Sequence, residues 1–168
     1  LFHAYGLLSV LFLAIAGAAE MILLPRPRPD AVLEALHRFR PTLFPGGPTL
    51  YAGIIVHPRV GESGLRTGTQ CLSGAASLPA RVVERFEALG GGRLVEGYGL
   101  TETSPFTHCT PLFGERRPAS IGLPLPDTEA RIVDLESERS VASFETAGQP
   151  VALLLDPDLE LFRRLAPD

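Results

Sequence analysis

Predicted strands and helices alternate along the middle of the chain, and this alternation restricts the fold more than any other feature. The predicted helices begin at Pro29, Pro48 and Leu78, where proline lies in or next to the first turn. The predicted strands are residues 42–44, 70–73 and 94–95. Because strands that alternate with helices usually pair in parallel, we predict an α/β fold: a partial three-layer arrangement with a largely parallel sheet flanked by helices.

An apolar run covers residues 6–24 and is broken only by Ser9 and Glu20. Its length approaches that of a membrane span, which leaves a membrane anchor as one interpretation. The segment 17–20 interrupts the run, and residues 21–24 are followed by a proline, as at the end of a strand. We therefore expect a buried helix followed by a buried strand.

Residues 94–105 combine an aromatic ring with a dense polar cluster. Gly97 and Gly99 flank Tyr98, so the backbone can turn sharply and approach a flat ligand while the ring stays free to stack. Thr101 and Glu102 then supply a hydroxyl and a carboxylate, which suit a magnesium–phosphate complex. The pattern predicts a nucleotide site. The alternative is a strand-to-helix turn that Thr101 caps, with Glu102 near the positive end of the helix.

A second group of small residues, Gly74, Ala75 and Ala76, directly follows the predicted strand 70–73. Open α/β sheets bind ligands at the carboxyl ends of their strands, although small residues there also permit close packing of helix on strand. Residues 74–76 and 97–99 belong to consecutive strand-helix units. In a parallel sheet both turns therefore leave the same edge, and we predict that they hold a purine between them.

Several other functional classes do not fit the sequence. The spacing after Gly97 starts like a dinucleotide fingerprint, but Glu102 stands where the third glycine is needed. No G-x-S-x-G elbow of a serine hydrolase is present. With 15 basic and 19 acidic residues, no basic face for nucleic acid is indicated. Cys71 and Cys109 lack metal-ligand spacing, and we expect reduced structural thiols.

The ends of the sequence suggest a segment of a longer protein. The 168 residues begin at Leu1, inside an apolar stretch and without methionine. We predict an incomplete α/β core over residues 1–118. Residues 119–136 are interpreted as the start of a β subdomain, because residues 129–134 alternate polar and apolar side chains. Residues 137–168 form a divergent tail, within which residues 159–165 are predicted to be helical.

Six segments, in this order, resemble the adenylate-forming (AMP-binding) superfamily, and most of all the long-chain fatty-acid–CoA ligases. They are residues 1–6, 44–51, 71–79, 96–105, 120–126 and 129–134. The resemblance extends over roughly residues 1 to 136. Several ordered motifs together are far more specific than any single one.

This resemblance implies an activity and its cofactors. In such ligases a carboxylate attacks the α-phosphate of ATP to give an acyl-adenylate and pyrophosphate, and CoA then takes the acyl group as a thioester. The implied ligands are a fatty or other carboxylic acid, ATP or AMP, Mg²⁺ and CoA, with no nucleic acid. The implied location is cytoplasmic, with peripheral membrane contact as a further option, and the oligomeric state is left open.

The resemblance also implies roles for individual residues. Tyr98 would stack on adenine, Thr101 would contact phosphate, and Glu102 would hold Mg²⁺. His3 would lie beside the reacting carboxylate, so that the implied catalytic residues are Thr101, Glu102 and His3. The implied nucleotide-binding set is Gly74, Ala75, Ala76, Glu96, Gly97, Tyr98, Gly99, Leu100 and Thr101.

The sequence also departs from the family pattern. The family's Ser/Thr/Gly-rich phosphate loop with its lysine is absent from these 168 residues. The same is true of the aspartate that binds ribose and of the C-terminal domain with its catalytic lysine. We therefore expect a fragment of an acyl-CoA synthetase that is inactive alone. The alternative is a non-catalytic nucleotide-binding or scaffold domain of the same fold.

Overall fold

The computed structural model describes residues 3–65, 68–90, 92–103, 105–117 and 119–130. The chain begins with a helical segment made of α1 (Ala4–Gly6), a π-helical stretch (Leu7–Phe12) and α2 (Leu13–Ala16). The other helices are α3 (Pro29–Phe39), α4 (Pro48–Ile55) and α5 (Ala80–Ala88), with single 3₁₀ turns at Val60–Glu62 and Thr101–Thr103. The strands are β1 (Leu43–Gly46), β2 (Gln70–Ser73), β3 (Leu94–Tyr98), β4 (His108–Cys109) and β5 (Leu123–Pro124).

The five strands form one sheet in the order β1-β2-β3-β4-β5. The three longer strands, β1 to β3, are parallel, and the two short strands are added antiparallel beside β3. Helices flank this sheet, which confirms the predicted α/β class. The bounds of β2 match the predicted strand 70–73, and α3 and α4 begin at the predicted prolines.

The main core lies where α3, α4 and α5 pack on the sheet. Tyr51 of α4 is fully buried and meets Phe44 and Phe86 edge to face, with ring centroids 5.2 and 5.1 Å apart. Its phenol donates a hydrogen bond of 2.6 Å to the carbonyl of Phe44, so the hydroxyl is satisfied inside the core. Cys71 lies in the same core, and both Cys71 and Cys109 are free thiols, as predicted.

The apolar N-terminal run differs from its prediction. Its helical segment leaves Phe12 and Ile15 51% and 64% exposed, so the helix is not buried. Residues 21–24 form no strand, and Leu24 alone of them packs against the core. The apolar composition of residues 21–24 suits a strand, but the edge strand β1 pairs only with β2 and not with these residues. Within the described ranges, no helix has the length and apolar character needed to cross a bilayer.

The last described residues also differ from the prediction. Beyond Pro105 the sequence predicted no strand before residue 129, yet His108–Cys109 forms β4, and Leu123–Pro124 pairs with it as β5. Glu129 and Ala130 are not in a strand, and the rest of the predicted strand 129–134 lies outside the described residues, as does the predicted helix 159–165. The domain limits 1–118, 119–136 and 137–168 stay predictions.

A partly buried ion pair ties the segment after β4 to α5 and β3. Arg116 donates two hydrogen bonds to the carboxylate of Glu87, at 2.7 and 2.9 Å. The same carboxylate accepts the N–H of Leu94 at 2.8 Å. Burial raises the pKa of Glu87, but these hydrogen bonds outweigh it and the net pKa lies below its usual value. The start of β3, which leads into the predicted nucleotide turn, is thereby held in place.

Candidate nucleotide-binding site

The two glycine-containing turns leave the sheet side by side. In the parallel pairing of β2 with β3, Ser73 lies opposite Glu96. β2 ends at Ser73, so residues 74–76 follow it at the carboxyl edge of the sheet. β3 continues through Gly97 and Tyr98, and only Gly99 lies beyond its end at the same edge. Residues 74–76 and 97–99 therefore lie at one edge, as predicted, but residues 97 and 98 belong to β3 and not to a turn, because they pair with β4. The roles assigned to individual site residues remain predictions.

The turn after β2 combines fixed ends with an exposed middle. The N–H of Gly74 donates to the carbonyl of Gly46 at 3.2 Å, which anchors the turn to β1. Ala75 then adopts a left-handed conformation with φ of 70°, which costs a residue with a Cβ about 1–2 kcal/mol. Ala75 and Ala76 are exposed. Such a conformation persists only where the surrounding structure imposes it.

The far end of this turn is held by Glu96 from the neighbouring strand. One carboxylate oxygen of Glu96 accepts the N–H of Leu78 at 3.0 Å, just before α5 begins. Burial raises the pKa of Glu96, and the hydrogen bond from Leu78 partly offsets that rise. Glu96 therefore connects β3 directly to the end of the turn after β2.

The glycines at these turns make room for aromatic rings of the chain itself. A Cβ on Gly74 would lie 2.8 Å from the ring of Tyr5, and a Cβ on Gly97 would lie 2.4 Å from the ring of Phe106. The two rings meet edge to face, with centroids 5.8 Å apart. The expectation that Gly97 and Gly99 let the backbone approach a flat ligand is corrected here for Gly97, because Phe106 occupies that space. Tyr5 fills the space beside Gly74 in the same way.

Tyr5 connects the N-terminal helical segment to the sheet edge. Its phenol donates a 2.7 Å hydrogen bond to the carbonyl of Leu72, and burial raises its pKa well above the usual value. His3, two residues earlier, caps the helix by accepting the N–H of Tyr5 on Nδ1 at 3.2 Å. In the neutral imidazole the proton is then on Nε2. Exposed His3 can therefore donate a hydrogen bond at this edge.

Tyr98, at the end of β3, presents a partly accessible ring. It pairs in register with His108 of β4, and the two rings meet obliquely with centroids 6.3 Å apart. Thr107 donates its N–H to the carbonyl of Tyr98 at 2.9 Å, which fixes the backbone there. Partial burial raises the pKa of the phenol. The ring thus lies next to His108 and stays partly exposed at the end of β3.

The polar cluster after Gly99 forms a single 3₁₀ turn. The hydroxyl of Thr103 accepts the N–H of Leu100 at 3.1 Å, so Thr103 makes the local hydrogen bond that the alternative interpretation gave to Thr101. Thr101 and Glu102 are both exposed. In the part of the chain that is described, no three potential metal ligands cluster. One exposed carboxylate fits Mg²⁺ that is held mainly by substrate phosphates.

A cleft of about 450 Å³ lies beside this edge, at the carboxyl end of β1. Its walls are mostly apolar and combine the end of β1 with the starts of α3 and α4. The lining residues are Pro27, Pro29, Pro45, Gly46, Gly47, Thr49 and Leu50. The sequence analysis did not place them at a site, although residues 44–51 were one of the family-like segments. The excess of proline and glycine there was the signal available.

Comparison with known proteins identifies the family. The sequence model described as AMP-binding enzyme matches residues 1–150. The chain belongs to the AMP-binding enzyme family. This confirms the resemblance found from the ordered motifs, and it agrees with the paired turns at the carboxyl edge of the sheet.

Curated relatives from this family are CoA ligases. The chain is 45% identical over 144 residues to a long-chain-fatty-acid–CoA ligase of Bacillus subtilis, covering 86% of this chain and 26% of the relative. It is 34% identical over 149 residues to a benzoate–CoA ligase of Thauera aromatica, covering 88% of this chain and 27% of the relative. The chain thus spans about a quarter of the length of each relative.

Solved structures of AMP-binding enzymes match as well. Apo MatB from Rhodopseudomonas palustris aligns with a TM-score of 0.64 and 31% identity, covering 74% of this chain and 24% of that one. The anthranilate CoA ligase AuaEII, solved in complex with anthranoyl-AMP, aligns with a TM-score of 0.57 and 30% identity, covering 64% of this chain and 21% of that one.

Proposed function

We propose that this chain carries the purine-binding edge of a ligase that activates a fatty acid as an acyl-adenylate and transfers it to CoA. The observation that carries the proposal is the register of β2 and β3, which opens both family turns at one edge. Tyr98 and Glu102 follow directly on this edge. The 45% identity to a long-chain-fatty-acid–CoA ligase supports the same activity.

The exposed residues at this edge fit the chemistry of an acyl-adenylate. The ring of Tyr98 would stack on the purine, and the backbone around Ala75, Ala76 and Gly99 would contact its edges. Thr101 would donate its hydroxyl to a phosphate. Glu102 would hold Mg²⁺, which when bound neutralises phosphate charge.

His3 and its helix would complete the acid side of the site. Because Nδ1 of His3 already accepts the N–H of Tyr5, Nε2–H is the group available to hydrogen-bond a carboxylate or phosphate oxygen. His3 would thus orient the reacting acid as a donor rather than remove a proton. The rings of Tyr5 and Phe106 pack edge to face at the same edge, and an apolar acid would suit these apolar neighbours.

Acyl-adenylate analogues with different acyl groups test the acid class. We expect the dodecanoyl sulfamoyl adenosine to bind the 168-residue chain at least about tenfold more tightly than the benzoyl analogue, because each buried CH₂ contributes about 0.8 kcal/mol. Isothermal titration calorimetry measures both affinities. Equal or tighter benzoyl binding would contradict a fatty-acid substrate. Absence of binding by both analogues and by AMP would contradict the nucleotide site itself.

Glu102→Gln tests whether the site is built for a metal–nucleotide complex. In the wild-type chain Mg²⁺ should tighten ATP binding. In the variant the factor by which Mg²⁺ tightens binding should be about tenfold smaller, because the carboxylate that neutralises Mg²⁺ is gone. Glu102 is exposed, so the stability should stay within about 0.5 kcal/mol of wild type. Glu34→Gln, an exposed change on α3, is the matched control.

The same measurement discriminates the second candidate function, a non-catalytic nucleotide-binding or scaffold domain. Such a domain would bind nucleotide weakly, and Mg²⁺ would have the same effect in Glu102→Gln as in the wild-type chain. The rings of Tyr5 and Phe106, which fill the space beside Gly74 and Gly97, are the observation in its favour. Pyrophosphate release by the chain with ATP, acid and CoA would contradict it.

A further inference from the structure

Glu96 lies in β3 at the nucleotide edge, but its side chain makes a hydrogen bond to the turn that follows β2. Its carboxylate accepts the N–H of Leu78, the residue at which the turn after β2 ends, at 3.0 Å. The backbone of Glu96 is fixed independently, since its carbonyl accepts the N–H of Thr110 at 2.8 Å. The side chain therefore extends from a rigid support.

The turn that Glu96 contacts needs such support. Gly74 is anchored by its N–H to the carbonyl of Gly46, and the hydrogen bond of Leu78 to Glu96 fixes the other end. Between these two points lie three exposed residues, of which Ala75 has a φ of 70°. A residue with a Cβ keeps that conformation only where its surroundings impose it. If the hydrogen bond at Leu78 is removed, Ala75 can relax.

We propose that Glu96 is a positioning residue: by accepting the Leu78 N–H it holds residues 74–77 in the conformation that faces the purine, without contacting the base. This deepens the proposed function and rests on it. The resemblance placed Glu96 among the nucleotide-binding residues, and the geometry assigns it an indirect role. A residue that contacts the base directly would instead recognise a particular group on the purine.

Amide hydrogen exchange tests the structural half of this proposal without any ligand. In Glu96→Ala, exchange at Leu78 and within residues 74–77 should accelerate about tenfold, because the acceptor is lost. Glu96→Gln should return exchange to within about twofold of wild type, since its amide oxygen can accept the same N–H. Glu34→Ala serves as a surface control. Unchanged exchange at Leu78 in Glu96→Ala would overturn the proposal.

Binding of AMP and IMP tests the functional half. The two nucleotides differ at purine position 6. AMP has an amino group there, which could donate a hydrogen bond to a carboxylate, whereas IMP has a carbonyl. Glu96→Ala should weaken both by the same factor, about 3- to 10-fold, and Glu96→Gln should restore both.

The outcomes of this comparison are distinct. A loss confined to AMP would overturn the proposal in favour of direct contact with the base, and so would failure of Glu96→Gln to restore binding. Equal affinities in wild type and Glu96→Ala would overturn it as well. A wild-type chain that binds neither nucleotide would contradict the proposed function, and the exchange rate at Leu78 would still decide whether Glu96 holds the turn.

Discussion

Replacing Tyr98 with alanine should weaken binding of an acyl-adenylate analogue about 10- to 100-fold, because stacking on an aromatic side chain contributes about 1–3 kcal/mol per base. The ring lies partly accessible at the end of β3, at an oblique angle to the ring of His108. Titration calorimetry with dodecanoyl sulfamoyl adenosine measures the change. The loss of affinity should come from the missing contact and not from unfolding. Far-UV circular dichroism on the same samples checks that the variant is folded.

Tyr98→Phe is the matched control for this experiment. It keeps the ring and removes only the hydroxyl, which makes no hydrogen bond within the ranges that the structure describes. Affinity should therefore stay within about threefold of wild type, since stacking depends on the ring face. If Tyr98→Ala binds the analogue as tightly as wild type, the purine does not stack on this residue and the nucleotide edge is wrongly assigned.

The second large effect is expected from Gly99→Ala, through folding. A Cβ at residue 99 would lie 1.5 Å from the carbonyl oxygen of Pro105 and 2.8 Å from Cα of Phe106. Both obstacles are backbone, so no side-chain rotation relieves them. We expect the free energy of unfolding to fall by about 3 kcal/mol or more, which urea denaturation followed by circular dichroism measures.

Gly61→Ala provides the comparison for this steric argument. A Cβ at residue 61 has no neighbour within 4 Å, and the stability should change by no more than about 0.5 kcal/mol. A Gly99→Ala variant as stable as Gly61→Ala would show that the chain between Gly99 and Pro105 can move aside. The close approach of the backbone at Pro105 and Phe106 would then not explain why residue 99 is a glycine.

Much of the parallel part of the fold could be predicted because its signals are local. Proline at the start of α3 and α4, and the apolar strand 70–73 followed by small residues, depend only on near neighbours in sequence. The placement of both turns on one edge then followed from the geometry of parallel strands. The family resemblance also held, since ordered motifs reflect a whole domain.

Other features could not be predicted because they depend on residues distant in sequence. Gly74 was expected to accommodate a ligand, yet its empty side is filled by Tyr5, 69 positions away. The two residues of β4 are too few to show a periodic pattern, and their strand character comes from pairing with β3. Residues 21–24 have the composition of a strand, but they pair with neither edge strand of the described sheet. Burial depends on such partners.

The placement of the tyrosines has a practical consequence for optical measurements. The chain has three tyrosines and no tryptophan, so the phenols dominate its near-ultraviolet emission over the weak signal of the nine phenylalanines. Tyr5 and Tyr51 donate hydrogen bonds to backbone carbonyls, an arrangement that quenches phenol fluorescence. Tyr98, half-exposed at the end of β3, then supplies most of the signal. Intrinsic emission therefore reports occupancy of that sheet edge without any label.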